Sequence, residues 1–381
     1  MEYRRLGRTE LQVSLLGVGG GYVSLLEMEE GRRVYERAME LGINYFDGRY
    51  GFSSQMLRPL IKRARARWVV VTKTQDQSKE GALERVEEDL RELDTDYIDI
   101  YFLRAYNREM IAAHFAPGGA IEGLLAAREQ GKIRFLGLAG HSDLSTLATG
   151  VESGLIDAVI FPLNVVRRDA FERLIPTCQA HDVGMIIMKP VNVGLVPADV
   201  CIRWLANQPI HTMVPGVNSI AQLEADVAAL GRDPMALSPA EEAEVEAWRR
   251  QQDGRTCRIC DRVCQPVCEP GLPIDWLLYH NIYYNELRTL GLDGFMAHPW
   301  APWVKRHMEG IFRRHLAILE SCTQCRKCER VCPYGLPIIE MLEAIKADHV
   351  AALQRLEGTD WATRYADAVS PYPQEVMKRW T

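Results

Sequence analysis

The sequence predicts an α/β chain: a (β/α)8 barrel over its first two-thirds, followed by a smaller and mainly helical region. Three observations carry this. Short apolar runs alternate eight times with amphipathic segments up to about residue 230, the pattern of strand–helix units around one parallel sheet. The runs are dense in Val, Ile, Leu, Phe and Tyr, as strands covered on both faces should be. The alternation then stops, and eight of the ten cysteines fall between 257 and 332.

The strand candidates are 13–19, 43–46, 68–72, 98–103, 133–138, 158–161, 184–188 and 212–215. Helical patterns separate them. Residues 29–41 end on Gly42, a helix-stop signal. Residues 81–93 place Leu83, Val86, Leu90 and Leu93 on one face. Segments 120–130, 167–181 and 219–230 read the same way. The competing doubly wound sheet would need a glycine-rich phosphate turn after an early strand. Gly17-Val-Gly19-Gly-Gly21 supplies glycines without the G-x-G-x-x-G order. The barrel is assigned to residues 1–235 and a linking helix to 236–256, opened by Ser238-Pro-Ala-Glu241 as N-cap, first-turn proline and capping-box glutamate. Residues 257–381 form the second domain, with helices expected after Pro273, over 304–319 and from Pro337 to about 356. Its aromatics Trp276, Tyr279, Tyr283, Tyr284, Trp300 and Trp303 are expected in packing.

The cysteines form an internal repeat. Cys322-Thr-Gln-Cys325-Arg-Lys-Cys328-Glu-Arg-Val-Cys332-Pro333 reads C-x2-C-x2-C-x3-C-P, the bacterial-ferredoxin spacing for a [4Fe–4S] cluster. Two-residue spacers let one tight loop aim three thiolates at a cage. In two-cluster proteins the fourth cysteine serves the other cluster. Cys257, Cys260, Cys264 and Cys268 supply the second run, with one extra residue in the middle. Cys257 to Cys322 and Cys260 to Cys325 are offsets of 65; Cys264 to Cys328 and Cys268 to Cys332 are offsets of 64, and Gly-Leu-Pro-Ile recurs at 271–274 and 335–338. Two clusters are expected, one on Cys257, Cys260, Cys264 and Cys332, the other on Cys322, Cys325, Cys328 and Cys268. Paired C-x2-C motifs also bind structural zinc, the competing reading. Cys178 and Cys201 stand apart and read as small core residues.

Bulk properties narrow the class. The 381 residues carry 45 Lys+Arg against 51 Asp+Glu, a net charge of −6, with no long basic run, which argues against nucleic acid as a partner. No basic-then-apolar leader opens the chain and no apolar run would cross a bilayer. The expectation is a cytoplasmic protein whose cysteines hold metal.

Tyr3-Arg-Arg-Leu-Gly-Arg-Thr9, Asn44-Tyr-Phe-Asp47, Tyr50-Gly51, Val71-Thr-Lys73 and Val214-Pro-Gly216 resemble the aldo-keto reductases over about residues 1–230. The tail resembles the two-cluster, ferredoxin-like helical domain of that superfamily's iron–sulfur branch. The resemblance implies an oxidoreductase acting on a carbonyl or alcohol. In its chemistry an Asp pairs with a Lys, the Lys lowers the pKa of a Tyr, and the Tyr protonates the carbonyl oxygen as NAD(P)H delivers hydride. By position Asp47, Lys73 and Tyr50 match these. A phenol of ordinary pKa near ~10 needs a nearby cation for this work. The plainer readings are a helix cap for Asp47 and a rim aromatic for Tyr50.

Two departures stand out. The family places its Tyr five residues after the Asp, whereas here the separation is three. Its His, which orients the carbonyl, is replaced by Arg104 after Ile-Asp-Ile-Tyr-Phe-Leu. Arginine keeps its proton and clamps a carboxylate or phosphate. With Arg49 beside Asp47, this predicts an anionic substrate; the alternative is an Arg104–Asp47 ion pair in a silent barrel serving electron transfer or binding. For the cofactor, Pro215, Gly216 and Asn218 match the family's loop under the adenosine phosphate, Asn164 its contact to nicotinamide, and His141 ends the fifth strand facing the site. Residues 216–230 hold no Lys or Arg, so NAD is favoured over NADP. Nicotinamide moves two electrons and a cluster one. The clusters therefore imply a flavin in the barrel, one-electron chemistry on the substrate, or a structural role. A small-molecule substrate and a redox partner protein are the expected partners.

Overall fold

The computed structural model describes residues 1–48, 53–105, 107–141, 144–191, 197–233, 235–260, 262–280, 282–298, 300–357, 359–364 and 367. It divides into two compact units: Met1–Ser24 with Met28–Arg250, and Leu25–Glu27 with Gln251–Thr381. The helix Pro239–Asp253, read from sequence as a linker, clusters with the first unit as far as Arg250. Its capping box is present: Ser238 N–H donates to Glu241 Oε2 at 2.8 Å, and Glu241 N–H to Ser238 Oγ at 3.3 Å.

Eight parallel strands form the first unit's sheet: Val18–Gly19, Tyr45–Asp47, Val69–Thr74, Ile98–Ala105, Ile133–Gly140, Ala158–Pro162, Gly184–Met188 and Thr212–Val214, each paired with the next in chain order. First and last strands meet through bridges Leu16–Met213 and Gly19–Gly216, so the sheet closes on itself. Each expected strand is present. The expected strand over 13–19 divides, however. Gln12–Ser14 pairs antiparallel with Tyr3–Arg5, and only Val18–Gly19 enters the barrel. The expected helix over 167–181 is also shorter, being a 3₁₀ turn at Asp169–Phe171 and a helix at Leu174–Ala180. Gly42 ends its helix at φ +84°.

Alternation along the strands positions the site. Tyr45, Val69, Val71, Ile100, Phe102, Ile160 and Ile186 pack together inside the barrel. Asp47, Lys73 and Arg104 lie two residues beyond Tyr45, Val71 and Phe102 on their own strands, so they share the inward face at the C-terminal end.

In the second unit, Cys257, Cys264 and Cys328 share one apolar core with Ile274, Leu277, Tyr279, Tyr284, Leu336 and Ile345. Helices Ile282–Ala297, Pro302–Glu320 and Ile338–Leu356 frame it. Trp276 packs against this core, while Trp300 stacks on His298 and Phe295 elsewhere. The side chains of Tyr283 and Trp303 lie outside the described residues. Among the described residues no helix is long and apolar enough to cross a membrane.

Candidate active site and cysteine cavities

At the barrel mouth Lys73 Nζ donates to Asp47 Oδ2 at 2.8 Å, and both side chains are at most 5% exposed. The ammonium also sits 5.7 Å from the centre of the Phe102 ring. Asp47 Oδ1 is buried with no hydrogen-bond partner among the described residues. A buried Lys–Asp pair is retained only where each charge compensates the other. Two further phenols lie near it, Tyr35 and Tyr45. Burial first, and the Asp47 charge second, push both above the ordinary phenol value, so neither ionises at neutral pH.

Arg104 is half-buried in register with Ala139. Its carbonyl is held by His114 Nε2 at 2.8 Å. That contact fixes the proton on Nε2, because a carbonyl only accepts. His114 is wholly buried on the helix Arg108–Phe115, and burial lowers its pKa. Sequence reading passed over this histidine, since the periodicity of so short a helix is faint. Arg49 and Tyr50 lie outside the described residues.

The expected cofactor residues fall around the same end of the barrel. Asn218 N–H donates to Gln222 Oε1 at 3.0 Å, and Gln222 Nε2 donates to the Gly216 carbonyl at 3.2 Å, so one glutamine side chain fixes the loop. Ser219 caps the helix Ile220–Leu230 through Gln222 N–H. A Cβ on Gly216 would come within 2.1 Å of the Tyr22 ring. The buried Pro215 gives its carbonyl to Gly19 N–H at 3.0 Å. Asn164 is fully buried. Its Nδ2 donates to the Lys189 carbonyl, and its Oδ1 accepts from Val166 and Arg167 N–H. His141 is half-buried and gives its carbonyl to Arg167 Nη1 at 2.6 Å.

In the second unit the eight cysteines divide into two cavities. Cys257, Cys260, Cys264 and Cys332 line one. Cys268, Cys322, Cys325 and Cys328 line the other. Each holds three cysteines of one run and the last of the other run, and Ile274 lines both. The loops bend at matching places. Ile259 and Gln324 lie at φ +55° and +54°, and Arg262 and Arg326 at +57° and +58°. A β-branched residue there is a genuine outlier, held by its surroundings. Leu272 N–H donates to Cys268 Sγ at 3.4 Å. Among the described residues no three His, Cys, Asp or Glu side chains gather as ligands of one metal ion. Burial raises the Cys257 and Cys264 thiols to about 12.

Residues 15–198 match the aldo/keto reductase family. The L-galactose dehydrogenase of Arabidopsis thaliana is 27% identical over 300 residues, covering 63% of this chain and 93% of that protein. The uncharacterized oxidoreductase YqkF of Bacillus subtilis is 26% identical over 213 residues, 51% of this chain and 67% of that one. Among solved structures, the aldo-keto reductase AKR11C1 of Bacillus halodurans, in its holo form, superposes with a TM-score of 0.55 at 24% identity, covering 65% of this chain and 96% of its own. With the closed eight-stranded sheet, these matches make the barrel aldo-keto-reductase-like and the protein an oxidoreductase.

Proposed function

We propose that this oxidoreductase acts on a carbonyl or alcohol carrying a carboxylate or phosphate, uses a nicotinamide, and holds two [4Fe–4S] clusters in its second unit. The carrying observation is the division of eight cysteines into two cavities of four, each completed from the other repeat. Three cysteines from one run with the fourth exchanged from the other is the two-cluster ferredoxin arrangement, whereas structural zinc joins two separated C-x2-C pairs. The donor set fits such a group: soft sulfur ligands around both cavities and, in the second, uncharged walls with a backbone N–H aimed at a sulfur.

The barrel residues support the rest. Nicotinamide, when bound, supplies or accepts the hydride at the substrate carbon. Lys73, neutralised by Asp47, sits as a fixed cation at the mouth; it would favour the ionised form of a neighbouring phenol. Tyr50 is the phenol assigned to proton transfer at the substrate oxygen. Arg104, held from behind by His114, presents a guanidinium that suits an anionic group beside the reacting carbon. The loop at Pro215, Gly216 and Asn218 before a helix N-terminus suits a dinucleotide phosphate, with NAD favoured because residues 216–230 lack a cation. Asn164 and His141 frame the same end. A silent barrel is not favoured, because the Asp47–Lys73 pair is intact and the relatives are named as dehydrogenase or oxidoreductase.

Anaerobic purification followed by iron, sulfide, flavin and nucleotide analysis tests the composition. Two clusters require roughly eight iron and eight sulfide per chain. Stoichiometric zinc without visible absorbance would sink the cluster reading. NADH and NADPH oxidation with 2-oxo acids, sugar phosphates and neutral aldoses tests the substrate class, and turnover confined to neutral aldoses would count against Arg104.

A further inference from the structure

The sequence repeat makes the two cysteine cavities comparable position by position, and at one repeat position they differ by a buried charge. Gly271–Ile274 repeats as Gly335–Ile338; the next residue is Asp275 in one copy and Ile339 in the other. Asp275 lines the cavity of Cys257, Cys260, Cys264 and Cys332, and Ile339 lines the other. Asp275 is only 3% exposed, and it pairs at 2.9 Å with Arg262, whose side chain is 41% exposed. Arg262 lines the same cavity, so the pair is a dipole whose negative end is the more deeply buried. Among the described residues the other cation on that wall, Arg258, has its own partner in Asp253 and lies 4.4 Å from the centre of the Tyr334 ring. Among the described residues the second cavity is walled by Pro270, Leu272, Ile274, Thr323, Ile339 and Leu342, none of them charged. Exposure differs in the same sense, since Cys325 is open to solvent while Cys257 and Cys264 are buried.

An electron added to a cluster on four thiolates makes an already anionic group more negative. A carboxylate out of water opposes that, and solvent access eases it. We propose that Asp275 holds the cluster of the first cavity at a lower reduction potential than that of the second, so that an electron shared by the two comes to rest at the exposed site. This rests on the cluster reading above. The step is a one-electron transfer: the first cluster is oxidised, the second reduced, and no bond forms or breaks.

The test is a redox titration of the full chain with dithionite, followed by electron paramagnetic resonance, with iron and sulfide measured on the same samples. The wild-type protein should reduce in two steps. Asp275→Asn should raise the lower step by a factor of ten or more in its equilibrium, about 59 mV for one electron, and leave the upper step in place. Ile339→Asp should lower the upper step. Asp275→Glu, which keeps the charge, should keep the wild-type steps. The proposal is overturned if Asp275→Asn with full iron and sulfide titrates as the wild type, or if Asp275→Glu shifts the step as far as Asp275→Asn. Wild-type protein without iron or sulfide overturns the cluster reading itself, and the proposal with it.

Discussion

Lys73 Nζ meets Asp47 Oδ2 at 2.8 Å from an adjacent strand, because parallel register sets Asp47 opposite Val71 and Lys73 is the next inward-facing residue. Removing one partner leaves an uncompensated buried charge. Lys73→Met should therefore destabilise the protein by about 3–5 kcal/mol in urea unfolding and lower kcat by about 10²-fold or more. Adding Asp47→Asn to it should restore most of the stability and none of the turnover. A Lys73→Met enzyme with wild-type kcat would remove the pair from the mechanism.

Arg104→His should raise KM for carboxylate and phosphate substrates by about tenfold to a hundredfold, the loss of a charge-assisted bond of about 1.5–3 kcal/mol. Neutral carbonyls should be affected far less. Equal losses on both classes would mean that Arg104 acts on the fold of the mouth, not on the substrate anion.

Tyr50→Phe should abolish proton transfer and leave nucleotide binding by fluorescence titration nearly unchanged. Retained turnover would move the proton donor elsewhere. Tyr45 is a poor replacement, because burial and Asp47 hold its phenol protonated.

Cys332→Ser should disturb the cluster held by Cys257, Cys260 and Cys264, although Cys332 belongs to the other run. Resonance spectra should show loss of the lower-potential signal, with iron falling toward about half. Loss of the cluster on Cys322, Cys325 and Cys328 instead would contradict the exchange.

The second unit should weaken in acid through a buried histidine pair. His349 Nδ1–H donates to the Ile345 carbonyl at 2.7 Å, so its Nε2 accepts from His315 Nδ1–H at 3.1 Å, and both rings are neutral. Burial drives both pKa values down, that of His315 to about 3. In the unfolded chain they titrate near ~6.5. Between those values the unfolded state binds more protons, so stability is full above about 6.5 and falls as pH drops toward 3. The slope from His315 should approach ~1.4 kcal/mol per pH unit over that range, with His349 acting in the same direction. Thermal unfolding from pH 7 to 4.5 should show a shallower decline for His315→Phe than for the wild type.

Much of this was legible along the chain because its signals are local. Eight runs of β-branched and aromatic residues marked eight strands, Ser238 and Glu241 marked a helix start, and Gly42 a helix end. Errors came where the chain turns without changing composition. The run from Val13 is apolar throughout, yet its first residues pair back on Tyr3–Arg5 before the barrel begins. Asp275 is a different case. The repeat displays the exchange of Ile339 for an aspartate, but the exchange carries meaning only once both residues are seen lining cavities.

By itself, the sequence determined the types and spacings of the chemical groups: eight thiols in two offset runs, and an Asp, a Lys and an Arg each at the end of an apolar run. Spacing is a property of the covalent chain, and strand periodicity turns it into direction. Motif spacing and the family resemblance named partners in advance, but tertiary structure is what brings those groups into one space. Asp47 and Lys73 are 26 residues apart and become a pair through sheet register. Cys332 leaves its own run for a cavity built 64 residues earlier, because the repeats fold against one core. Such partners are chosen by packing, which is a relation between distant segments and is written in no one of them.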